Sequence, residues 1–173
     1  MKECGYMLFT NEVKDMDELV EQISSLTELK QIKVAVVCFL FDNTGKLILH
    51  RRGPGARDEI GKLQAIGGSV NNTDDNFREA MMRELREEAG TKAIITLDKF
   101  IGAQLDGKID NTTNKYVEWI ILAYKGTVTS GELINSEPER CIGFEKNTME
   151  NFLNEELSKT AYNFIKYMLD NNI

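Results

Sequence analysis

One segment of this chain reads Arg83-Glu84-Leu85-Arg86-Glu87-Glu88-Ala89-Gly90, and it follows a glycine pair, Gly67-Gly68. A helix is predicted from about Asp75 to Ala89, because apolar side chains recur at helical spacing on one stripe: Phe77, Met81, Leu85 and Ala89. Gly90 would end this helix. Its start would be capped by one of three polar residues, Thr73, Asp74 or Asp75.

Three glutamates crowd one face of the predicted helix. Glu84, Glu87 and Glu88 stand at i, i+3 and i+4, and a helix turns once every ~3.6 residues. Like charges at this spacing weaken an isolated helix by only about a few tenths of a kcal/mol per pair, so the spacing alone equally fits a solvated acidic face. A hard cation explains the cluster better, because Mg²⁺ takes oxygen ligands and several carboxylates offset its dehydration cost.

The neighbouring residues strengthen the metal hypothesis. A backbone carbonyl at Gly67-Gly68 could face the same ion, and the Arg83 guanidinium could hold one glutamate by a two-pronged hydrogen bond. With these residues the sequence resembles the Nudix box, whose pattern is Gly, five residues, Glu, seven residues, then Arg-Glu-apolar-x-Glu-Glu-x-Gly-apolar. The second half of the box matches at every position from Arg83 to Gly90.

The first half of the box departs from the family pattern. Asp75 stands where the family has Glu, and one residue more than usual separates it from Gly68. Either the loop carries an extra residue, or Asp74 takes that role. Thr91 and Ile66 also replace residue types that are frequent in the family, an apolar residue and a proline.

The resemblance implies a set of site residues. Glu87 and Glu88 would be the main ligands of Mg²⁺, or alternatively Mn²⁺, and the Gly67 carbonyl and Glu84 would complete the protein side. Arg83 would orient Glu84, while Gly68 and Asp75 would contribute secondarily. The family does not place the general base uniformly, so Glu84 and Glu137 are both candidates.

Two further segments bear on the substrate. The segment Glu137-Pro138-Glu139-Arg140-Cys141 resembles a loop in Nudix enzymes that act on nucleoside triphosphates. Before the box, Arg51, Arg52, Arg57 and Lys62 could supply local positive charge for substrate phosphates in a chain whose net charge is -7. Each of these residues fits equally well as a solvated surface cation.

Composition narrows the function classes. The acidic balance argues against nucleic acid or an anionic membrane as partner. Three scattered cysteines without a CxxC pair argue against a disulfide framework and a thiolate zinc site. His50 is the only histidine, and we interpret it as a structural strand residue. Without an apolar run of membrane length or a signal-peptide pattern, a cytoplasmic enzyme is expected.

The length of 173 residues predicts one compact domain. Residues 31–173 would form an α/β Nudix-like domain, an α/β/α sandwich around a mixed sheet. Residues 1–30 would be an extension packed on it, with a strand at Gly5 to Thr10 and an amphipathic helix at Asp15 to Leu29. Other predicted elements are strands Ile32 to Phe41, Lys46 to Arg51, Ala93 to Leu97, Phe100 to Gln104 and Tyr116 to Val128, and helices Thr148 to Leu157 and Ser158 to Leu169.

The resulting hypothesis is a Mg²⁺-dependent hydrolase that cleaves the pyrophosphate bond of a small nucleotide. The preferred substrate is a nucleoside triphosphate, which would be cleaved to the monophosphate and pyrophosphate. The chain could form a homodimer. ADP-ribose or another nucleotide sugar is the alternative substrate. Two other classes also resemble this fold. An isoprenoid diphosphate isomerase would need a catalytic cysteine that Cys38 and Cys141 do not obviously supply, and a nucleotide sensor would commonly have lost box carboxylates that are present here.

Overall fold

A computed structural model describes residues 6–9, 11–24, 32–110 and 113–173. Strands alternate with helices along the chain. The elements, in order, are β1 Tyr6–Phe9, α1 Met16–Ser24, β2 Ile32–Phe41, β3 Leu47–Arg52, β4 Leu63–Gln64, β5 Ile66–Ser69, α2 Phe77–Ala89, β6 Ile94–Asp110, β7 Lys115–Ser130, β8 Cys141–Asn147, α3 Met149–Phe152 and α4 Lys159–Asp170.

The strands form one mixed sheet in the order β1-β6-β7-β2-β3-β4, with β5 paired to β2 and β8 paired to β3. Strands β2 and β7 run parallel, and the other strand pairs are antiparallel. Side chains of β2 alternate between two apolar clusters. One cluster also holds Leu19 of α1 and Met81 of α2, and the other holds Phe164 of α4. Helices therefore cover both faces of the sheet, and the predicted α/β/α sandwich is confirmed.

The sheet forks beside β2. Near its end, β2 pairs with β3 through Leu40 and Phe41, whereas its earlier residues Ala35 to Cys38 pair with β5. Strand β3 instead takes β4 and β8 as its neighbours. A space opens between the two branches, and helix α2 follows directly on the β5 branch. The fork therefore brings the helix that bears the glutamates to this space.

The start of α2 corrects the predicted cap. The helix begins at Phe77, and the Asn76 side chain accepts a hydrogen bond from the Glu79 amide. Thr73, Asp74 and Asp75 therefore do not cap it. The Asp74 carboxylate accepts from the Asn71 amide and from Arg83 instead. Asn76 caps the helix because it directly precedes the first helical residue, and from there its side chain reaches the amide of the third helical residue.

Other elements also differ from the sequence prediction, among them the short strands β4 and β5, which were not predicted. The two predicted strands Ala93 to Leu97 and Phe100 to Gln104 are one continuous strand, β6, from Ile94 to Asp110. Register shifts in its pairing with β7, one of them between Leu97 and Lys99, let the strand continue through Asp98. Strand β8 was not predicted, and its residues are held by β3. The helix predicted over Thr148 to Leu157 is only the short α3.

The amino-terminal elements belong to the same sheet and core. Strand β1 pairs antiparallel with β6, and Leu19 and Ile23 of α1 are buried. The ends of the predicted strand at Gly5 and Thr10 and the end of the predicted helix, residues 25–29, lie outside the described residues, as does Cys4. In the described part of the chain, no helix combines the length and apolar character needed to cross a membrane.

The turn between β2 and β3 yields a prediction about acid stability. One carboxylate oxygen of Asp42 accepts hydrogen bonds from Thr44 and from the Lys46 amide, and the other lies 2.9 Å from the Lys146 ammonium. Lys146 first, and then Thr44, hold the pKa of Asp42 well below its usual range. An Asp42→Asn variant should therefore unfold more easily at pH 7, by on the order of 1 kcal/mol.

The lowered pKa of Asp42 determines how its contribution to stability changes with pH. The stabilisation is present above the unfolded-state pKa of about 3.9 and is lost as pH falls through the folded-state value. Urea unfolding at several pH values should show the gap between wild type and Asp42→Asn shrinking below about pH 3.9. The exposed Asp170→Asn is the control and should follow wild type. A gap that is constant with pH would contradict the prediction.

Candidate active site

A cavity of about 300 Å³ lies in the fork of the sheet. Strands β2 and β7 supply an apolar wall, and the β5 branch and α2 supply glycines and carboxylates. The lining residues are Ala35, Val37, His50, Arg52, Ala56, Arg57, Asp58, Gln64, Gly67, Gly68, Ser69, Asn71, Arg83, Glu84, Glu87, Glu88, Trp119, Ile121, Arg140 and Thr160. The cavity is therefore apolar on one side and strongly charged on the other.

Arg83 joins the carboxylates of this site. Its guanidinium donates through Nε and Nη2 to the two oxygens of Asp74, both at 2.9 Å. Through Nη1 it donates to Glu84 at 2.7 Å and to Glu87 at 2.9 Å. It also reaches the Ser69 carbonyl. These contacts fix the helix face against the loop before it, because a planar guanidinium fork allows little rotation.

Of the two aspartates considered from the sequence, Asp74 is the one that pairs with the Arg83 guanidinium. Asp75 is exposed and does not line the cavity. The Asp74 side chain is only 6% exposed, and hydrogen bonds from Arg83 lower its pKa. Asp74 thus remains a carboxylate at neutral pH. It holds the Arg83 guanidinium in the position from which Nη1 donates to Glu84 and Glu87.

Glu88 is a largely buried carboxylate at the cavity. Its Oε2 accepts a hydrogen bond from the Gly67 amide at 3.0 Å, and its side chain is 12% exposed. Burial, reinforced by the charges of Glu84 and Glu137, raises the pKa of Glu88 to about 8. The protein therefore holds a carboxyl group that a nearby positive charge would ionise at neutral pH.

The two glycines make room for these carboxylates. At Gly67, φ is +152°, and an added Cβ would collide with the backbone of Val36. At Gly68, an added Cβ would stand 2.5 Å from Oε2 of Glu84. Only a residue without a side chain allows Glu84 to lie directly against the β5 backbone. Burial raises the pKa of Glu84, while its bond with Arg83 acts in the opposite direction.

The predicted phosphate-binding arginines separate into two groups. Arg51 points away from the cavity and forms a two-pronged ion pair with Glu145. Arg52 and Arg57 line the cavity, and Arg140 joins them from the loop before β8. Arg52 is held by Asp58 through its side chain and carbonyl. The structure therefore brings Arg52 and Arg57 to the site and leaves Arg51 outside it.

Glu137 lies in a loop that packs against the loop after β3. The Gly53 and Gly55 amides donate to the carbonyls of Arg140 and Glu139, at 2.6 and 2.8 Å. This pairing holds Glu137 close enough for its charge to raise the pKa of both Glu84 and Glu88. Among the described residues, the buried Oε2 of Glu137 has no hydrogen-bond partner; its ion-pair contact is Arg140 at 3.5 Å.

Sequence reasoning missed several cavity residues: His50, Gln64, Trp119, Arg140 and Thr160. For His50 a signal existed, because side chains alternate along a strand and so His50 shares a face with Arg52, not with Arg51. No comparable signal marks Trp119 or Thr160, since β7 and α4 reach the cavity only through the tertiary fold.

The donor set fits a hard divalent cation. Oxygens of Glu84, Glu87 and Glu88 lie on one helix face, and a glycine pair leaves the adjacent backbone accessible. Burial raises the pKa of Glu88, and Oε2 of Glu137 is buried without a hydrogen bond among the described residues. As they stand, no three such side chains among the described residues already form a metal-binding group. Glu87 is held by Arg83 and Glu88 by the Gly67 amide, so binding an ion requires these two side chains to turn.

Comparisons with known proteins bear on this site. The chain matches the NUDIX domain family over residues 31–168. It is 28% identical to the CTP pyrophosphohydrolase of Escherichia coli (strain K12) over 117 residues, which make up 64% of this chain and 81% of that protein.

Solved structures share its fold. The MutT protein from Methanosarcina mazei Go1 superposes with a TM-score of 0.67 at 21% identity, covering 84% of this chain and 99% of that one. The NUDIX domain of Shewanella oneidensis NrtR, crystallised with ADP ribose, superposes with a TM-score of 0.62 at 13% identity, covering 89% of this chain and 98% of that one. At these identities the superpositions establish the fold alone.

Proposed function

This chain belongs to the NUDIX family as a Nudix-type pyrophosphohydrolase, and we propose that it hydrolyses a nucleoside triphosphate to the monophosphate and pyrophosphate with Mg²⁺ or Mn²⁺. The main observation in support is that the Arg83 guanidinium binds Asp74, Glu84 and Glu87 beside the cavity. Glu88, which accepts from the Gly67 amide, lies next to them. Similarity to a CTP pyrophosphohydrolase favours a triphosphate.

Glu84, Glu87 and Glu88, with the Gly67 carbonyl, would hold the metal. When bound, it would neutralise phosphate charge and lower the pKa of a coordinated water. Arg83 binds Glu84 and Glu87 and so keeps both carboxylates at the cavity before substrate arrives. Glu87 would then turn from Arg83 towards the ion. Arg52, Arg57 and Arg140 line the same cavity and would bind the phosphates.

Glu137 is the better placed of the two candidate bases. Glu84 is occupied by Arg83 and packs against Gly68. Glu137 keeps one buried oxygen without a hydrogen bond within the described structure, and the paired loops hold it near the glutamates of α2. A carboxylate in that position can accept the proton of an attacking water, with its own charge offset by Arg140.

A matched pair of variants tests this assignment. We expect Glu137→Gln to lower kcat by about 10²-fold or more, because general bases contribute on the order of 10² to 10⁴ in rate. Glu139→Gln, on the exposed side of the same loop, should leave kcat within about twofold. Pyrophosphate release would be measured for the best substrate of a panel at saturating Mg²⁺. Equal, small losses in both variants would remove Glu137 from the mechanism.

The second candidate substrate is ADP-ribose, because the NUDIX domain of NrtR was crystallised with ADP ribose. The same panel separates the two classes. Faster cleavage of ADP-ribose than of every triphosphate would replace the substrate class and keep the pyrophosphohydrolase. Nucleotide binding without metal-dependent release of any product would instead indicate a sensor.

A further inference from the structure

His50 is buried at the wall of the cavity without a hydrogen bond. Its side chain is 4% exposed, and neither ring nitrogen has a hydrogen-bond partner among the described residues. Leaving such a group unpaired in a protein interior costs about 1–3 kcal/mol. A leucine would fill the position without this cost, so the imidazole calls for an explanation other than packing.

The imidazole faces one of the glutamates of α2. Its Nδ1 lies 3.8 Å from Oε2 of Glu88, which is about 1 Å longer than a hydrogen bond. That same oxygen accepts from the Gly67 amide. Strand β3 fixes the backbone of His50, which is paired across the sheet with Gln64 on one side and Phe144 on the other. A small turn of the Glu88 carboxyl therefore closes the gap.

We propose that His50 is a positioning residue for Glu88, donating a hydrogen bond from Nδ1 to the Glu88 carboxylate when that group turns to hold the divalent cation. The proposal rests on the metal role assigned to Glu88 above. An imidazole donor on a carboxylate ligand fixes its orientation, and the loss of such outer partners typically weakens metal affinity about 10- to 100-fold. The Gly67 amide of β5 and the His50 ring of β3 would then both donate hydrogen bonds to the Glu88 carboxylate.

Three substitutions separate hydrogen bonding from packing. His50→Leu keeps the apolar volume and removes the donor. His50→Asn places an amide nitrogen close to the position of Nδ1, whereas the longer His50→Gln places it close to the position of Nε2. Gln104→Leu is the control, because Gln104 is another fully buried polar side chain but does not line the cavity.

Direct binding of Mn²⁺ to the substrate-free protein, followed by electron paramagnetic resonance of the free ion, is the decisive readout. We expect His50→Leu and His50→Gln to weaken Mn²⁺ binding at least about 10-fold, His50→Asn to regain most of the loss, and Gln104→Leu to match wild type. The rise in Tm on adding Mn²⁺ should follow the same order. In turnover assays, the metal concentration for half-maximal rate should rise more than kcat falls.

Each other result has a distinct meaning. Equal Mn²⁺ affinity in wild type and His50→Leu would overturn the positioning role and leave the proposed function intact. Equal loss in all three His50 variants would show that ring shape alone matters, which also overturns it. Wild-type protein that binds no Mn²⁺ would instead contradict the metal role on which both proposals rest.

Discussion

Replacing Glu88 or Glu87 by glutamine is expected to lower kcat/KM by on the order of 10³-fold, the largest effect of any single substitution in this chain. A neutral amide is a poor ligand for a hard cation and carries no charge to offset it. Glu88→Gln should also keep the fold intact, because the amide oxygen can still accept from the Gly67 amide.

The two variants should differ in stability. Burial raises the pKa of Glu88, so the neutral glutamine removes a group whose ionisation opposes folding, and Glu88→Gln should unfold at the wild-type temperature or above it in metal-free buffer. Glu87 is 50% exposed and paired with Arg83, so Glu87→Gln should change Tm little.

The control is Glu79→Gln, an exposed carboxylate earlier on the same helix. It should retain kcat/KM within about twofold. Pyrophosphate release at several Mg²⁺ concentrations, with Tm measured alongside, tests all three variants. Wild-type turnover in Glu87→Gln or Glu88→Gln at low metal concentration would remove that residue from the site.

Arg83→Lys is expected to produce the second large effect, a loss of about 10²-fold in kcat/KM together with about 2 kcal/mol of stability. Lysine keeps the charge but has a single nitrogen, so it cannot donate to Asp74 from two positions and also reach Glu84 and Glu87. The carboxyl groups of Glu84 and Glu87 would then lose their common anchor, and the site would have to order itself when substrate binds.

Arg86→Lys, exposed on the same helix, is the matched control and should retain both kcat/KM and stability. Asp74→Asn should give a smaller version of the Arg83→Lys effect, because the fork would lose charge but keep one acceptor. Chemical denaturation and steady-state kinetics measure both quantities. If Arg83→Lys lost stability with unchanged kcat/KM, Arg83 would be a structural residue without a role in catalysis.

The candidate site was predictable from sequence where its residues share one helix. Glu84, Glu87 and Glu88 share a face because helical geometry alone fixes their relative positions, and Arg83 precedes them in the same turn. Resemblance to the Nudix box then implied that the Gly67 carbonyl completes the set of metal ligands. The strand Ile32 to Phe41 was likewise predictable, since a buried central strand is continuously apolar.

Other residues could not be assigned without the tertiary structure. Asp74, and not Asp75, reaches Arg83 because the loop ends at an Asn76 cap that turns one carboxylate inward and leaves the other in solvent. Arg52, and not Arg51, lines the cavity because strand β3 alternates its side chains, and pairing with β8 directs Arg51 to Glu145. Small changes in register would exchange these roles.

The sequence by itself determined the family resemblance, the α/β class and the carboxylate helix, because these depend on neighbours within a few positions along the chain. The tertiary structure decided which distant residues complete the cavity. His50 meets Glu88, and the Glu137 loop meets the loop after β3, only because the sheet forks beside β2 and α2 packs across the gap. Contacts between residues far apart in sequence are set by strand order and register, and no local pattern encodes them.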